Sequence, residues 1–526
     1  MEKVIYFGGP IVTMDVPLHV QALVVEGEEI LWAGDLAGAR AAAGPGARQV
    51  DLKGRALLPA FIDAHSHLAA WAYSLHQIPL GDCAGGEEIC ERLVARCREE
   101  PLPPGAWVRG TGYGQTPMDR GGPPDRWALD RACPEHPVVI QHASGHAGVF
   151  NSLALKQLGV GEDSPCPAGG RMERDSSGRL TGRMEENAFL ELLNQVPMEG
   201  LERLFQALDR AQEGYAARGI VTVQEGLLSQ SLAPLYQALL AQDRLKLDVV
   251  AYVDGAQPQL WETFAPWRGD YRNNFRLGGV KIFLDGSPQA RTAWMRRPYA
   301  GEESYAGYPT LTDEEVDRRV RLAWELDTQL LAHCNGDGAA EQLLSALERA
   351  EKAGKMPRRP VMIHAQLLAP DQLERVRALG VIPSFFVAHV YHWGEDHVKN
   401  FGPDRAAHIS PAGSALALGI PFTFHQDTPV LPPDMLETVW CAANRLTRTG
   451  RVLGAEEAIP VAEGLRAVTS RAAFQYGEEG RKGTLARGKR ADLVVLSADP
   501  LETDPGKLRE IQVLATLKGG KILYQR

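Results

Sequence analysis

Short apolar segments recur along this chain, most of them closed by a polar residue, with amphipathic stretches between them. Eight such segments are LPAFIDAHSH (58–67), GIVTVQEG (219–226), KLDVVAYV (246–253), GGVKIFLDG (278–286), TQLLAHCNG (328–336), RPVMIHAQ (359–366), GVIPSFFV (380–387) and IPFTFHQD (420–427). Nearly continuous hydrophobicity is what strands covered on both faces require. The stretches between them, such as TDEEVDRRVRLAWELD and AAEQLLSALERAEKAG, place apolar residues at helical spacing. Thr312, followed by Asp313, Glu314 and Glu315, reads as a helix start with a hydroxyl cap and an acidic first turn. The alternation predicts an α/β fold, a (β/α)8 TIM-like barrel. An open doubly wound sheet is the rival. Against it, no GxGxxG follows the early strands, and the polar residues come from many strand ends rather than one crevice.

The two ends differ from the middle. Residues 1–57 and 488–526 hold short β-rich pieces broken by glycine, with a turn near Gly27, and neither end has helices enough to fold alone. They are expected to pair into one small composite β-sandwich domain, which leaves 58–487 as the barrel. The gap between the first two strands, 68–218, far exceeds an ordinary βα connection. Its strand-like pieces at 106–114 and 136–150 and its Gly/Pro/Ser-rich run at 159–182 mark an inserted lobe, about 80–200, expected over the barrel mouth. A net charge of -10 offers no positive field to a nucleic-acid backbone. No apolar run reaches the ~18 residues of a membrane span, and the N-terminus does not read as a signal peptide. Seven scattered cysteines without a CxxC suit a reducing, cytoplasmic location.

Chemistry concentrates at the strand ends. His65 and His67, two apart in a strand, would face the same side, and paired imidazoles suit a borderline cation such as zinc. A lone histidine in an apolar strand is as readily a hydrogen-bonded core residue. His333, His364, and His425 with Asp427 repeat the pattern at three further strand ends, and barrel strand ends converge on one face. Lys281, between Val280 and Ile282, is costly in a central strand unless paired or chemically altered. Carbamylation would turn its amine into a carboxylate able to bridge two cations at roughly 3.5 to 4 Å separation. Tyr113, His142 and His146 are candidate substrate contacts on the lobe, and Arg291 with Asp285 and Thr292 on the loop after the lysine strand. Glu225 is a candidate hydrogen-bonding support. The segment 389–408 carries His389, His392, His397 and His408 and reads either as a solvent-exposed loop and helix or as a rim closing over substrate. The basic run 481–490 reads as a solvated turn.

Taken in order, these motifs resemble the amidohydrolase superfamily of metal-dependent hydrolases, in its YtcJ-like branch, which includes N-substituted formamide deformylase. The likeness runs through GRALLPAFIDAHSHL (54–68), WVRGTGY (107–113), GHAGVFNSLAL (145–155), VKIFLDGS (280–287), HCNGDGA (333–339), IHAQ (363–366), QDTPV (426–430) and GTLARGKRADLVVLSADP (483–500). The resemblance implies one or two divalent metal ions, most simply Zn2+, held by His65, His67, His333 and His364, with Lys281 carboxylated in a binuclear centre. It implies that Asp427 moves the proton of an attacking water. The reaction would be hydrolysis of a non-peptide C–N bond in a small amide, with His364 also offered as a donor to the oxyanion; a deaminase acting on a heterocycle is the alternative on the same fold. Where the branch often has a small residue, this chain has His425, expected behind Asp427 or facing substrate. A homodimer is the assembly common among similar enzymes.

Overall fold

The computed structural model describes residues 2–99, 101–114, 122–142, 147–167, 170–193, 195–197 and 200–526. It divides into two compact units, Met1–Ala70 with Ala211–Arg526, and Trp71–Arg210. In the first unit eight parallel strands form one sheet in chain order. They are β1 (Phe61–Ile62), β2 (Ile220–Leu228), β3 (Asp248–Asp254), β4 (Phe275–Phe283), β5 (Gln329–Cys334), β6 (Arg358–His364), β7 (Ile382–Phe385) and β8 (Thr423–Phe424). The sheet curls until the loops beyond its first and last strands meet, where the His67 N–H donates to the Thr428 carbonyl at 2.9 Å. Inside the curl, Ile62, Val250, Tyr252, Leu331, Val361, Ile363 and Ile382 pack in one apolar cluster with Ala472, Ala473 and Tyr476.

Helices fill the connections, among them Ala233–Ala241, Asp313–Glu325, Asp337–Lys352, Pro370–Ala378 and His389–Phe401. The second of these begins as its sequence predicts. Thr312 Oγ1 accepts from the Glu315 N–H at 3.3 Å, and the Glu315 carboxylate accepts from the Thr312 N–H at 3.4 Å. Val316, Val320 and Ala323 form its buried stripe.

The first apolar segment is shorter in the parallel sheet than its hydrophobicity suggests. Ala56–Pro59 pairs antiparallel with Leu493–Leu496, and only Phe61–Ile62 joins β2. The switch lies between two residues: the Ala60 N–H donates to the Asp492 carbonyl, and the Phe61 N–H to that of Gly219.

Strands from both ends of the chain share a second sheet. Its order is Lys521–Gln525, Val513–Lys518, Leu493–Leu496, Ala56–Pro59, Lys3–Val12, His19–Glu26 and Glu29–Gly34, with Arg48–Asp51 beside Lys3–Val12. Gly27, at φ +61°, turns the hairpin between Glu26 and Glu29. A buried charge cluster ties the returning segment to β3. Lys482, 2% exposed, lies 2.6 Å from Asp248 Oδ2 and 2.8 Å from Glu478 Oε2, Lys518 lies 2.6 Å from Asp248 Oδ1, and Arg276 lies 2.7 Å from Glu478. The basic run is therefore not simply a solvated turn, because a buried aspartate at the start of β3 takes its lysine inward.

The second unit, Trp71–Arg210, contains a six-stranded sheet ordered Gly170–Arg174, Leu180–Glu186, Ala147–Phe150, Val138–His142, Val108–Tyr113 and Ile78–Pro79. The helix Gly86–Glu99 buries Ile89 and Leu93. All seven cysteines are free. Among the described residues, no helix is long and apolar enough to cross a membrane.

Candidate metal centre

β1 ends at Ile62, so strand parity does not aim His65 and His67. The bent chain beyond it does, bringing their rings edge to face with centroids 5.0 Å apart. Gly226 of β2 permits this approach: a Cβ there would stand 2.6 Å from His65 Cε1 and 3.0 Å from His67 Cε1. The His65 Nδ1–H donates to Gln224 Oε1 at 2.6 Å, which leaves Nε2 facing Lys281 Nζ at 3.3 Å and Asp427 Oδ1 at 3.4 Å. His67 Nε2 lies 3.5 Å from the same Asp427 oxygen, and its Nδ1 lies 3.8 Å from Glu225 Oε1. Glu225 is itself fixed, accepting from the Tyr236 hydroxyl at 2.6 Å and the Ala69 N–H at 3.0 Å.

β5 and β6 supply a second group. His333 Nε2 faces the Gly286 carbonyl at 3.3 Å, so Nδ1 turns to His364 Nε2 at 3.1 Å. His364 Nε2 is also 3.9 Å from Asp427 Oδ2. Val361 and Ile363 already use the inward positions of β6, and His364 joins the site by adopting φ +73°. Asp427 sits at φ +52°. Left-handed backbone at a non-glycine costs of the order of 1–3 kcal/mol and gathers where a site over-determines the chain.

The same departure from the strand separates His425 from Asp427. His425 is fully buried, with Nδ1 against Ser384 Oγ at 2.9 Å and Nε2 against His364 Nδ1 at 3.2 Å. It supports His364, and among the described residues no hydrogen bond or ion pair joins it to Asp427. His364 in turn has Nδ1 facing His425 and Nε2 facing His333, and so keeps no N–H for an oxyanion.

Lys281 is fully buried and has no salt-bridge partner among the described residues. Burial lowers its pKa to about 7, with Asp427 opposing. Burial, reinforced by the Lys281 amine, carries His65 well below the usual imidazole range and His333 to about 4. Burial also lowers His364 and takes His425 to about 3. For His67, burial is outweighed by hydrogen bonds to Asp427 and Glu225, and its pKa rises to about 9.

This donor set fits a cation. One ligand atom each from His65, His67 and Asp427 lie within 4.8 Å of one another. His333 Nδ1 faces His364 Nε2, while His333 Nε2 is held between the Gly286 carbonyl at 3.3 Å and Asn335 Nδ2 at 3.1 Å. Neutral imidazoles with the far nitrogen hydrogen-bonded are the form that ligates metal, and binding would displace the His67 proton.

Asp285 accepts backbone N–H groups from Trp294, Asn335 and Gly336 at 3.0, 2.9 and 2.7 Å, and stands 3.7 Å from His333. Burial raises its pKa to about 7 against those bonds. Arg291 pairs with Glu302 at 2.6 Å and lies over the Tyr299 ring, shaping its own loop. In the lobe, Tyr113 and His142 meet edge-on at 5.2 Å, and burial raises the Tyr113 hydroxyl to about 12. His146 lies outside the described residues. His392 pairs with Glu437 at 2.8 Å and accepts from Arg448 at 2.8 Å. Sequence reasoning missed Gln224, Ser384 and Asn335; the signal for Gln224 was its place beside Glu225 at the end of a strand.

Residues 48–524 match the model of the amidohydrolase family. The chain is 29% identical to the N-substituted formamide deformylase of Arthrobacter pascens, over 96% of this chain and 95% of that protein. It is 28% identical to the putative amidohydrolase YtcJ of Bacillus subtilis over the full length of both. The crystal structure of an uncharacterized metal-dependent hydrolase from Pyrococcus furiosus superposes with a TM-score of 0.80 at 27% identity, covering 95% of this chain and all of that one. A curled parallel sheet with histidines at its strand ends, matched over nearly its whole length, makes this chain a member of the amidohydrolase family.

Proposed function

We propose that this chain hydrolyses a non-peptide C–N bond, an amide or N-formyl group, in a small-molecule substrate, using one or two divalent cations, most simply Zn2+. The observation that carries the reading is the convergence of His65, His67, Lys281, His333, His364 and Asp427 from four strand ends and the interior of β4. His65, His67 and Asp427 would hold one cation, and His333 with His364 a second. When bound, a cation supplies Lewis-acid polarisation of a carbonyl and acidification of water. The nearly full-length likeness to a formamide deformylase supports the choice of bond. The fold proposed is a closed (β/α)8 barrel with a composite β-sandwich from residues 1–57 and 488–526 and a lobe inserted at 80–200. Free cysteines accord with a cytoplasmic protein, and a homodimer is the assembly proposed.

Asp427 is the proton carrier. Burial would raise its pKa, but His67, His364 and His65 outweigh it, so the carboxylate stays ionised and able to accept a proton. It takes the proton of the attacking water and returns it to the departing nitrogen. Lys281, with a pKa near about 7, keeps neutral amine available at physiological pH. Its nitrogen can bond to CO2 with release of a proton, giving a carbamate beside both histidine groups.

The test is metal per chain in unchelated protein, mass analysis of the Lys281 peptide for a CO2 adduct, and release of formate or amine from N-substituted formamides and simple amides. Near two equivalents with an adduct supports the binuclear form. No bound metal and no hydrolysis would refute the reading, and ammonia release from aminated heterocycles alone would favour the deaminase.

A further inference from the structure

The helix His389–Phe401 starts three residues beyond β7 and buries two of its histidines, His389 at 3% exposure and His397 at 0%. His389 Nδ1 and His397 Nε2 are 3.0 Å apart, with the rings stacked at 12°. His397 Nδ1 is buried without a partner. That orphan settles where the protons are. A neutral imidazole carries one N–H, and one of the two rings must donate across the pair. If His389 donated, His397 would hold its own proton on Nδ1, sealing an N–H away from any acceptor, which proteins rarely tolerate. His397 therefore donates from Nε2, and His389 carries its proton on its own Nε2. Phe401 stacks on His397 at 7° and clamps it.

The His389 Nε2–H has no acceptor among the described residues either, but this nitrogen, unlike His397 Nδ1, is not sealed from the surroundings and can meet an incoming acceptor. Its ring lies 4.6 Å from both Phe386 and Trp393, and the Phe386 ring lies 5.3 Å from His425 and 6.2 Å from His364. The helix is kinked at Trp393, at φ -130° and ψ 18°. A donor is thus fixed among aromatic rings beside the histidine cluster. Few polar groups precisely placed on apolar walls are what small-molecule pockets use for orientation.

We propose that His389 donates from Nε2 to an acceptor atom of the substrate, that Phe386 and Trp393 pack an apolar group adjoining that acceptor, and that His397 is a positioning residue that fixes the donor tautomer. This rests on the amidohydrolase reading above and names the kind of substituent the site takes.

The tautomer is read in the full-length holoenzyme by 15N-histidine labelling and two-bond 15N–1H correlation, with His389→Gln assigning the signal. Native His389 is expected to be protonated on Nε2, and a proton on Nδ1 overturns the proposal. With N-phenethylformamide and N-butylformamide as probes, His389→Leu raises KM about tenfold, as loss of one hydrogen bond predicts. Metal content stays unchanged, and His389→Gln regains part of the loss. His397→Leu mixes the His389 tautomers and raises KM, whereas His397→Gln, whose amide also donates, restores both. Native KM in His389→Leu overturns the assignment. If the native enzyme turns over neither formamide, the amidohydrolase reading fails on its own. The tautomer, and the shift of His389 Nε2 on adding N-phenethylformamide, still decide this one.

Discussion

Replacing Gln224 with leucine tests whether the centre depends on how His65 is held. Gln224 makes three bonds: its Oε1 accepts from the His65 Nδ1–H at 2.6 Å, and its Nε2 donates to the Ala64 carbonyl at 2.9 Å and to Tyr476 Oη at 3.1 Å. Two of these partners keep another bond, since Ala64 O also accepts from Gln475 at 2.8 Å and the Tyr476 hydroxyl donates to the Asp63 carbonyl at 2.7 Å. The one group orphaned is the His65 N–H, in a residue 1% exposed. Leucine nearly matches the volume of glutamine, so little cavity term arises. One unsatisfied buried donor costs about 1–3 kcal/mol. Loss of the partner behind a metal-ligating histidine weakens metal binding roughly 10–100-fold. The variant is titrated with graded chelator while metal per chain is measured, and its unfolding is followed in urea. Gln224→Glu keeps the acceptor and is expected to recover metal affinity in part. A Gln224→Leu protein that holds metal as tightly as the native one would refute the role given to this contact.

Three further substitutions probe other parts of the structure. Gly226→Ala drives a methyl into the His65 and His67 rings and should abolish metal uptake with an unchanged far-UV spectrum. Asp427→Asn should lower kcat by about 10²–10⁴-fold in the amide assay while most of the metal remains. Lys482→Met breaks a buried pair with Asp248 and should lower unfolding free energy by about 3–5 kcal/mol in urea titration. The pH dependence follows from the same cluster. Burial would raise Asp248 and Glu478, but Lys482 outweighs it, aided by Lys518 for Asp248 and by Arg276 for Glu478, and both pKa values fall below their unfolded values of about 3.9 and 4.3. Their stabilisation is present above those values and is lost as pH falls through the folded ones. Asp492, raised by burial, offsets part of this. Urea midpoints should therefore drop from about pH 5 downward, with a flatter acid limb in Lys482→Met.

The parallel sheet was legible because its strands are apolar on both faces. Each of the eight segments read from the sequence overlaps a strand of that sheet. The error at the first segment has a physical source. LPAFI is apolar throughout, since Ala56–Pro59 is as buried in the terminal sheet as Phe61 and Ile62 are in the parallel one. Hydrophobicity reports burial and does not say which sheet provides it. Lys482 shows the converse: a charge run looks solvated until a buried carboxylate distant in sequence claims one of its members.

At the site, the residue types were legible and their orientation was not. Period-two parity holds only inside a strand, and His65, His67, His425 and Asp427 all lie beyond the ends of their strands. What aims them is positive φ at His364 and Asp427, a missing Cβ at Gly226, and partners such as Gln224 that lie 159 positions from the residue they hold. The histidine-rich segment 389–408 illustrates the limit most fully. Its count of histidines marked it, yet spacing could not separate His392, tied to Glu437 and Arg448, from His389, whose free Nε2 depends on an unpartnered nitrogen in His397. A histidine's role is set by which nitrogen carries the proton, and that is decided by neighbours packed around both edges of the ring. Local sequence fixes at most one of those neighbours, so the choice between ligand, support and donor belongs to tertiary structure.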